Sequence, residues 1–267
     1  MFFLDGIPAI ILGIFALSYL TNKPEQAKWL SQEQKEWLAG ELAKEASAKV
    51  ATAKLSIMEV FTIPRVWLLC FIYMGQGAMN QTIAAWLPQL VKEFSRTFSN
   101  TDVGLVMTLP GIFGAIAMPF WARHSDKTNE RIYHFVLPLA LAGLGLTMVA
   151  VSPNLIVKII GVTFQGIGAV CFISPFWSVP PMFLSAQACA VAVGMINSFS
   201  NVGGFIGNPI VGVIKGSAWG SRGVLLFQVG CVTFSIVLAL YLKFTAKNLG
   251  QVSALAATAG NPGQNPK

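Results

Sequence analysis

The sequence runs out of acids halfway along. Glu130 is the last carboxylate, and residues 131–267 contain neither Asp nor Glu. Lys and Arg continue through that half at wide spacing, and between them lie stretches such as 135–151 and 223–242 with no charge at all. A water-soluble domain needs both signs of charge on its surface. A chain that avoids charge over about 20 residues at a time suits hydrocarbon, where a charged side chain at mid-bilayer costs roughly 2.5–3.5 kcal/mol. Charge is scarce throughout: 11% of residues are charged and 54% are hydrophobic, with a mean hydropathy of +0.64. A soluble domain carries about 25% charge.

Other absences narrow the function. The chain has two histidines, His124 and His134, near one polar stretch, and two such residues are more often solvated than metal-bound. Its four cysteines, Cys70, Cys171, Cys189 and Cys231, fall inside apolar runs with no CxxC pair and read as small hydrophobes. Gly166-Ile-Gly168 and Gly203-Gly204 lie inside apolar runs with no preceding strand, so they are not phosphate loops. No enzyme constellation, cofactor or metal site is predicted. The net charge of +7 is spread between apolar runs and lines no single face, which argues against nucleic acid as a partner.

What is present is a series of seven apolar runs: 1–20, 66–90, 103–122, 133–151, 155–179, 188–214 and 223–242. Each is long enough to cross a bilayer as a helix, so the fold class expected is all-α, a polytopic membrane bundle of about seven transmembrane helices. The longest polar stretch, 21–65, holds seven of the 18 Lys and Arg residues. Within it Ser31 and Gln34 have capping-box spacing, and Glu41/Lys44 and Glu45/Lys49 are helix-spaced pairs. Trp29, Leu30, Trp37, Leu38 and Leu42 form a narrow apolar face. This segment reads as an amphipathic surface helix at the membrane or as a solvated linker helix. The tail, 243–267, is expected to be disordered and cytoplasmic.

Basic residues set the orientation. With 21–65 in the cytoplasm, alternation puts 13 of the 18 basic residues inside, the positive-inside pattern. The lone first run stands apart from the other six. A helix followed by a linker and a six-helix block is what remains when a twelve-helix, two-half transporter is cut within its first half. Met1, opening directly into an apolar run, then reads as an internal methionine of a longer protein.

The strongest local signal is Trp121-Ala-Arg-His-Ser-Asp-Lys-Thr-Asn-Glu-Arg131, read as a short charged turn between two spans. Asp126 sits among Arg123, Lys127 and Arg131, where an acid can latch helix ends through charge-assisted bonds; the alternative is a solvated loop. In this place it resembles the cytoplasmic loop of the major facilitator superfamily, Gly-x-x-x-Asp-Arg-x-Gly-Arg-Arg. Asp126, Lys127 and Arg131 match, while Ala122 and Asn129 stand where the family has glycine. Other segments are similar to the anion:cation symporter branch: Pro24-Glu-Gln-Ala-Lys-Trp-Leu-Ser31, Trp37-Leu38, Pro64-Arg-Val-Trp67, Phe176-Trp-Ser-Val-Pro-Pro-Met-Phe-Leu184 and Ile196-Asn-Ser-Phe-Ser-Asn-Val-Gly-Gly-Phe205. The resemblance implies the sixth helix, central linker and C-terminal six-helix half of a symporter in a bacterial inner membrane. It would move a small organic anion (tartrate, a sugar acid or an aromatic acid) with H+ or Na+. Arg123, Asp126, Lys127 and Arg131 would be its gating loop.

Helix wheels mark candidate cavity residues. Asn197, Asn201 and Asn208 share one face with Gly204; Tyr73, Gln76, Gly77 and Asn80 share another, with Gln81 at its margin; Gln165, Phe172 and Phe176 share a third, followed by Trp177. Amides on a membrane helix avoid lipid, so these faces point at protein or water, either as the wall of a substrate path or as helix–helix glue. The substrate-binding set read this way is Tyr73, Gln76, Asn80, Gln165, Phe172, Asn197 and Asn201. None of the six later runs holds an acid at mid-depth, so the coupling group is expected in an N-terminal half that is the missing partner. The competing reading is a half-size membrane binding or assembly component that works only as a dimer or with another half.

Overall fold

The computed structural model describes residues 2–19, 21, 24–27, 29–50, 57–95 and 97–259; Lys23, Lys28, Lys54, Arg96 and Lys267 of the basic inventory lie outside them. Among the described residues there are helices, turns and no strand. The chain divides into two compact units, Met1–Lys54 and Leu55–Lys267.

The first unit holds α1 (Phe2–Tyr19) and α2 (Gln32–Val50). The Ser31 hydroxyl accepts from the Gln34 amide at 3.3 Å and Gln34 Oε1 accepts from the Ser31 amide at 3.0 Å, the reciprocal capping box that starts α2. Glu41 and Lys44 pair at 2.6 Å. The side chains of Glu45 and Lys49 lie outside the described ones. Trp29, Trp37 and Leu42 are exposed, so the apolar face of this segment is not consumed by packing.

The second unit begins with a single turn, α3 (Ile57–Val60), and continues through α4 (Pro64–Lys92), α5 (Asn100–Thr128), α6 (Ile132–Val151), α7 (Leu155–Cys171), α8 (Ile173–Trp177), α9 (Ala186–Gly216) and α10 (Gly220–Ala259). Consecutive spanning helices run antiparallel, so α4 lies parallel to α9, with Met74 at Gly203 and Ala78 at Gly207, and α5 lies parallel to α7, with Pro110 at Gly166 and Val170 at Gly114. α4 packs chiefly on α9 and then α10, α6 on α7 and α10, and α5 on α7. The core runs between them through Leu69, Ile72, Met79, Phe135, Leu139, Phe172, Phe176 and Ile196, all essentially inaccessible.

Glycines set the closeness of the crossings. At α4–α9, a Cβ on Gly203 would meet the Met74 carbonyl carbon at 3.0 Å, and one on Gly77 would meet Ser200 Cα at 2.8 Å. At α6–α7, Gly145 and Gly161 face one another, each against the other's carbonyl oxygen. Small residues at membrane crossings let backbones touch, where dispersion and weak polar contacts replace the hydrophobic drive that lipid removes.

Several expectations change. Among the described residues, five helical segments are long and apolar enough to cross a membrane: Asn100–Thr128, Ile132–Val151, Leu155–Met182, Gln187–Gly216 and Gly220–Thr245. The expected count of about seven included run 1–20, whose apolar helical stretch is only Gly6–Leu17, and run 66–90. The latter forms α4, which is long enough but carries Gln76, Asn80, Gln81 and Gln89 and is diluted in hydropathy by them. The run 155–179 is broken after Cys171 because Pro175 offers no amide to the Cys171 carbonyl, and Pro180 with Pro181 turns the chain into a 3-10 segment, Pro180–Met182. α10 continues as helix to Ala259, past the expected end at Leu242 and into the tail expected to be disordered; residues 246–259 are rich in Ala and Leu and contain no proline.

Candidate functional site

α4 joins the predicted polar residues. On one side its Tyr73 stacks on Phe176 at 4.9 Å and Phe172 at 6.0 Å and meets Trp177 edge-on at 5.1 Å. Phe135 closes the cluster in edge-to-face contact with both phenylalanines. Phe172 and Phe176 are fully buried, so their rings serve packing, and Tyr73, half-buried, is the accessible member. One turn on, Met79 Sδ accepts from Gln165 Nε2 at 3.3 Å, which places buried Gln165 against α4.

On the other side, Gln81 reaches α9. Its Nε2 donates to the Ser200 carbonyl at 3.1 Å and to Asn201 Oδ1 at 3.4 Å. Asn80, Asn197 and Asn201 are exposed. Gln76 is 3% exposed and makes no side-chain hydrogen bond among the described residues. Asn208 turns back on its own helix, donating to the Gly204 carbonyl at 3.0 Å. The structure thus sets Tyr73 against Phe172, ties Gln165 to α4 at Met79, and links Asn201 to α4 at Gln81. A further polar contact escaped the sequence reading: Gln228 of α10, fully buried, donates to Thr82 at 3.0 Å. A lone glutamine in an apolar run is its only signal in sequence.

The 121–131 stretch is mostly helix. α5 continues through Thr128, and the turn is confined to residues 129–131. Asn129 ends α5 with φ 48°, the left-handed conformation that glycine takes at low cost and asparagine tolerates. Asparagine therefore makes the turn where the family pattern has its second glycine. Asp126 pairs with Arg131 at 2.5 Å, and Arg131 also donates to the buried Ser125 hydroxyl at 3.0 Å. Arg123 and Lys127 are exposed.

The acid that joins helices here is Glu130, not Asp126. Its carboxylate accepts from Lys243 of α10 at 2.9 Å, from the Tyr133 amide that opens α6 at 2.9 Å, and contacts His134 Nδ1 at 3.1 Å. Burial pushes the Glu130 carboxyl up, but the hydrogen bonds from Lys243, Tyr133 and His134 and the Lys243 charge outweigh it and hold it below its ordinary value. Lys243 also lies 3.1 Å above the Tyr133 ring. His134 is buried and pairs with His124, at 2.7 Å between Nε2 and Nδ1. The two histidines are therefore partnered, which corrects their reading as solvated. They sit five residues either side of Asn129, so a helical hairpin turning there brings them face to face; that symmetry was the signal in the sequence.

At the opposite end of the bundle Glu93, just past α4, is held by Lys215 of α9 and Ser221 of α10. Burial raises its carboxyl, and the Lys215 and Ser221 bonds with the Lys215 and Lys158 charges outweigh that and lower it. Asp102 lies in the first turn of α5, where it forms a capping box with Ser99, its Oδ2 accepting from the Ser99 amide at 2.8 Å. Ser-Asn-Thr-Asp is the sequence signature of that box.

The family model of the Major Facilitator Superfamily matches residues 1–208 and again 69–257. A protein of Agrobacterium vitis named "Putative tartrate transporter" is 40% identical over 254 residues, covering 95% of this chain and 58% of that protein. A second protein of the same name and organism is 39% identical over 242 residues, covering 91% of this chain and 53% of its own length. The "Inner membrane transport protein RhmT" of Escherichia coli is 34% identical over 217 residues, 80% of this chain and 48% of that protein. The chain spans about half the length of these curated relatives. With the family model covering most of its residues and an all-helical bundle beneath it, the chain belongs to the major facilitator superfamily.

Proposed function

We propose that this chain forms part of a secondary transporter for small organic carboxylates, working by alternating access with H+ or Na+ symport in a bacterial inner membrane. The observation that carries the reading is the α4–α9 face. In a bundle whose core is mostly apolar, α4 and α9 present Asn80, Asn197 and Asn201 accessibly, with Asn201 joined to Gln81 and Gln76 unpartnered one turn before Asn80. Amides donate hydrogen bonds to carboxylate and hydroxyl oxygens without placing a fixed charge in the membrane, the chemistry a tartrate-like anion needs. The names of the Agrobacterium vitis relatives support that class. Tyr73 would offer an aromatic edge of the same path, backed by Phe172 and Gln165.

In this reading, α4 and α9 supply one wall of a cavity that an N-terminal half completes, and the end bearing Asn129 is cytoplasmic. Asp126 and Arg131 clip the α5–α6 connection, and Glu130 and Lys243 tie it to α10, so the cluster biases one arrangement of the bundle. Arg123 and Lys127 are the exposed members of the same gating loop. The test is thermal unfolding of the detergent-solubilised protein with ligands present. Tartrate or an aromatic acid at saturating concentration should raise the midpoint, while a neutral sugar of similar size should leave it unchanged. Equal effects of the neutral and acidic compounds would reject carboxylate recognition.

A further inference from the structure

The contacts at the α5–α6 hairpin have a property that neither the transport reading nor the family loop motif requires. His124 Nδ1 and His134 Nε2 lie 2.7 Å apart, and His134 Nδ1 lies 3.1 Å from Glu130 Oε2. With Glu130 ionised, the His134 Nδ1–H donates to it. The His134 Nε2 then carries a lone pair, and His124 Nδ1–H donates to that. His124 Nε2 is left without a partner among the described residues, on a ring that lines an apolar groove of about 550 Å³ between α5, α6 and α7.

A proton arriving at His124 Nε2 keeps every bond in this chain, because His124 still donates from Nδ1. It can equally pass through the pair: His134 becomes the cation, donating from both nitrogens, and His124 accepts at Nδ1. A second proton breaks the chain. With both rings protonated neither has a lone pair, two N–H groups meet at 2.7 Å, and two positive charges face each other.

We propose that His124 and His134 form a single-proton binding site that links the α5–α6 hairpin to α10 through Glu130 and Lys243. The pair is bounded by one indole ring and one carboxylate. The Trp121 ring lies 5.1 Å from His134 and 6.2 Å from His124, and its Nε1 donates to the His134 carbonyl at 2.6 Å. Glu130 supplies one negative charge, shared with Lys243. The other charged groups nearby are accounted for: Arg131 is held by Asp126 and Ser125, and Arg123 and Lys127 point from α5 into solvent. From α7 the titratable group is Cys171, which lines the same groove as His124, and from α6 it is Tyr133, whose ring lies under Lys243. A bound proton puts a second cation on Glu130 and so tightens the first turn of α6 onto the carboxylate that also holds α10.

The chain has only two histidines, so labelling histidine with 15N places every imidazole signal on this pair. The full chain, carrying a tag without histidine, is titrated in detergent micelles from about pH 8 to about pH 5, the range in which histidine ordinarily titrates. The expected result is one proton taken up by the two imidazoles together, with both rings shifting in a single step and His134 keeping its Nδ1 proton throughout. His124 is exposed, so His124→Gln preserves the fold; it should turn the shared step into a titration of His134 alone and move its midpoint. Two separate one-proton steps in the parent chain, or a His134 curve unchanged by His124→Gln, would overturn the proposal.

Discussion

Lys243 of α10 holds Glu130, the last acid of the sequence, at 2.9 Å. The two residues are 113 positions apart and come from the turn between α5 and α6 and from the last spanning helix. One carboxylate thereby ties the α5–α6 turn to α10 and to the first turn of α6, because it also accepts from the Tyr133 amide and meets His134.

Replacing Glu130 with Gln should therefore destabilise the bundle by about 1–2 kcal/mol, with Lys243 left partly buried and unpaired. The sign with pH follows from the lowered carboxyl of Glu130. Its stabilising contribution is complete above the ordinary value of 4.5 and is lost as pH falls through the lower folded value. Unfolding midpoints of parent and variant should differ at pH 7, still differ just above 4.5, and converge only once the pH has fallen below that ordinary value and through the lower folded one. Identical midpoints at pH 7 would show that the Glu130 cluster is solvated in micelles.

The Asp126–Arg131 pair is more exposed on its acid side, and Asp126→Asn should cost under about 1 kcal/mol of stability. Its effect should appear in transport instead. Uptake by the chain joined to an N-terminal half should fall while substrate binding persists, since the pair acts on the balance of conformations. Equal uptake at equal membrane abundance would reduce the loop to a solvated turn.

On the α4–α9 face, Asn201→Ala and Gln76→Ala should each weaken carboxylate binding about 5–10-fold, the worth of one hydrogen bond, without blocking insertion. Asn201 is accessible and joined to Gln81, and Gln76 has a hydrogen-bonding capacity that nothing described in the chain uses. Loss of folded protein with normal binding in the remainder would make both residues packing elements.

The crossing itself has a sharp test. Gly203→Ala drives a methyl into the Met74 carbonyl and should cost about 1–3 kcal/mol. Gly194→Ala, on the same helix with nothing within 4 Å, should be neutral or stabilising by up to about 1 kcal/mol. Equal unfolding midpoints for the two variants would contradict the α4–α9 packing.

Much of this architecture is legible in the sequence because hydrocarbon imposes it. Charge-free runs mark α6 and α10, and the Ser31–Gln34 box starts α2, since these signals are local. Extent is less legible. α5 runs to Thr128 because a helix need not stop where charge begins, and its stop is set by Asn129. α4 is the helix hydropathy undersells, because Gln76, Asn80, Gln81 and Gln89 lower its mean although it packs on α9 and α10, Gln81 through a bond to the Ser200 carbonyl. The stripe of Gln165 and Phe172 predicted as cavity wall is buried against Met79 and Tyr73, a distinction that a helical wheel cannot make. Glu130 was invisible as a hub because its partner lies 113 residues away.

The central claim is carboxylate transport driven by a cation gradient, and radiolabelled uptake into sealed membrane vesicles tests it most directly. The preparations are the chain joined to an N-terminal transporter half, as the proposal requires, and the chain alone, each with tartrate and an aromatic acid. The account predicts accumulation by the joined protein that collapses when the proton or sodium gradient is discharged. It predicts insertion without accumulation for the chain alone, whose six later apolar runs hold no acid at mid-depth. No carboxylate accumulation by the joined protein, accumulation indifferent to both gradients, or gradient-driven accumulation by the chain alone would contradict it.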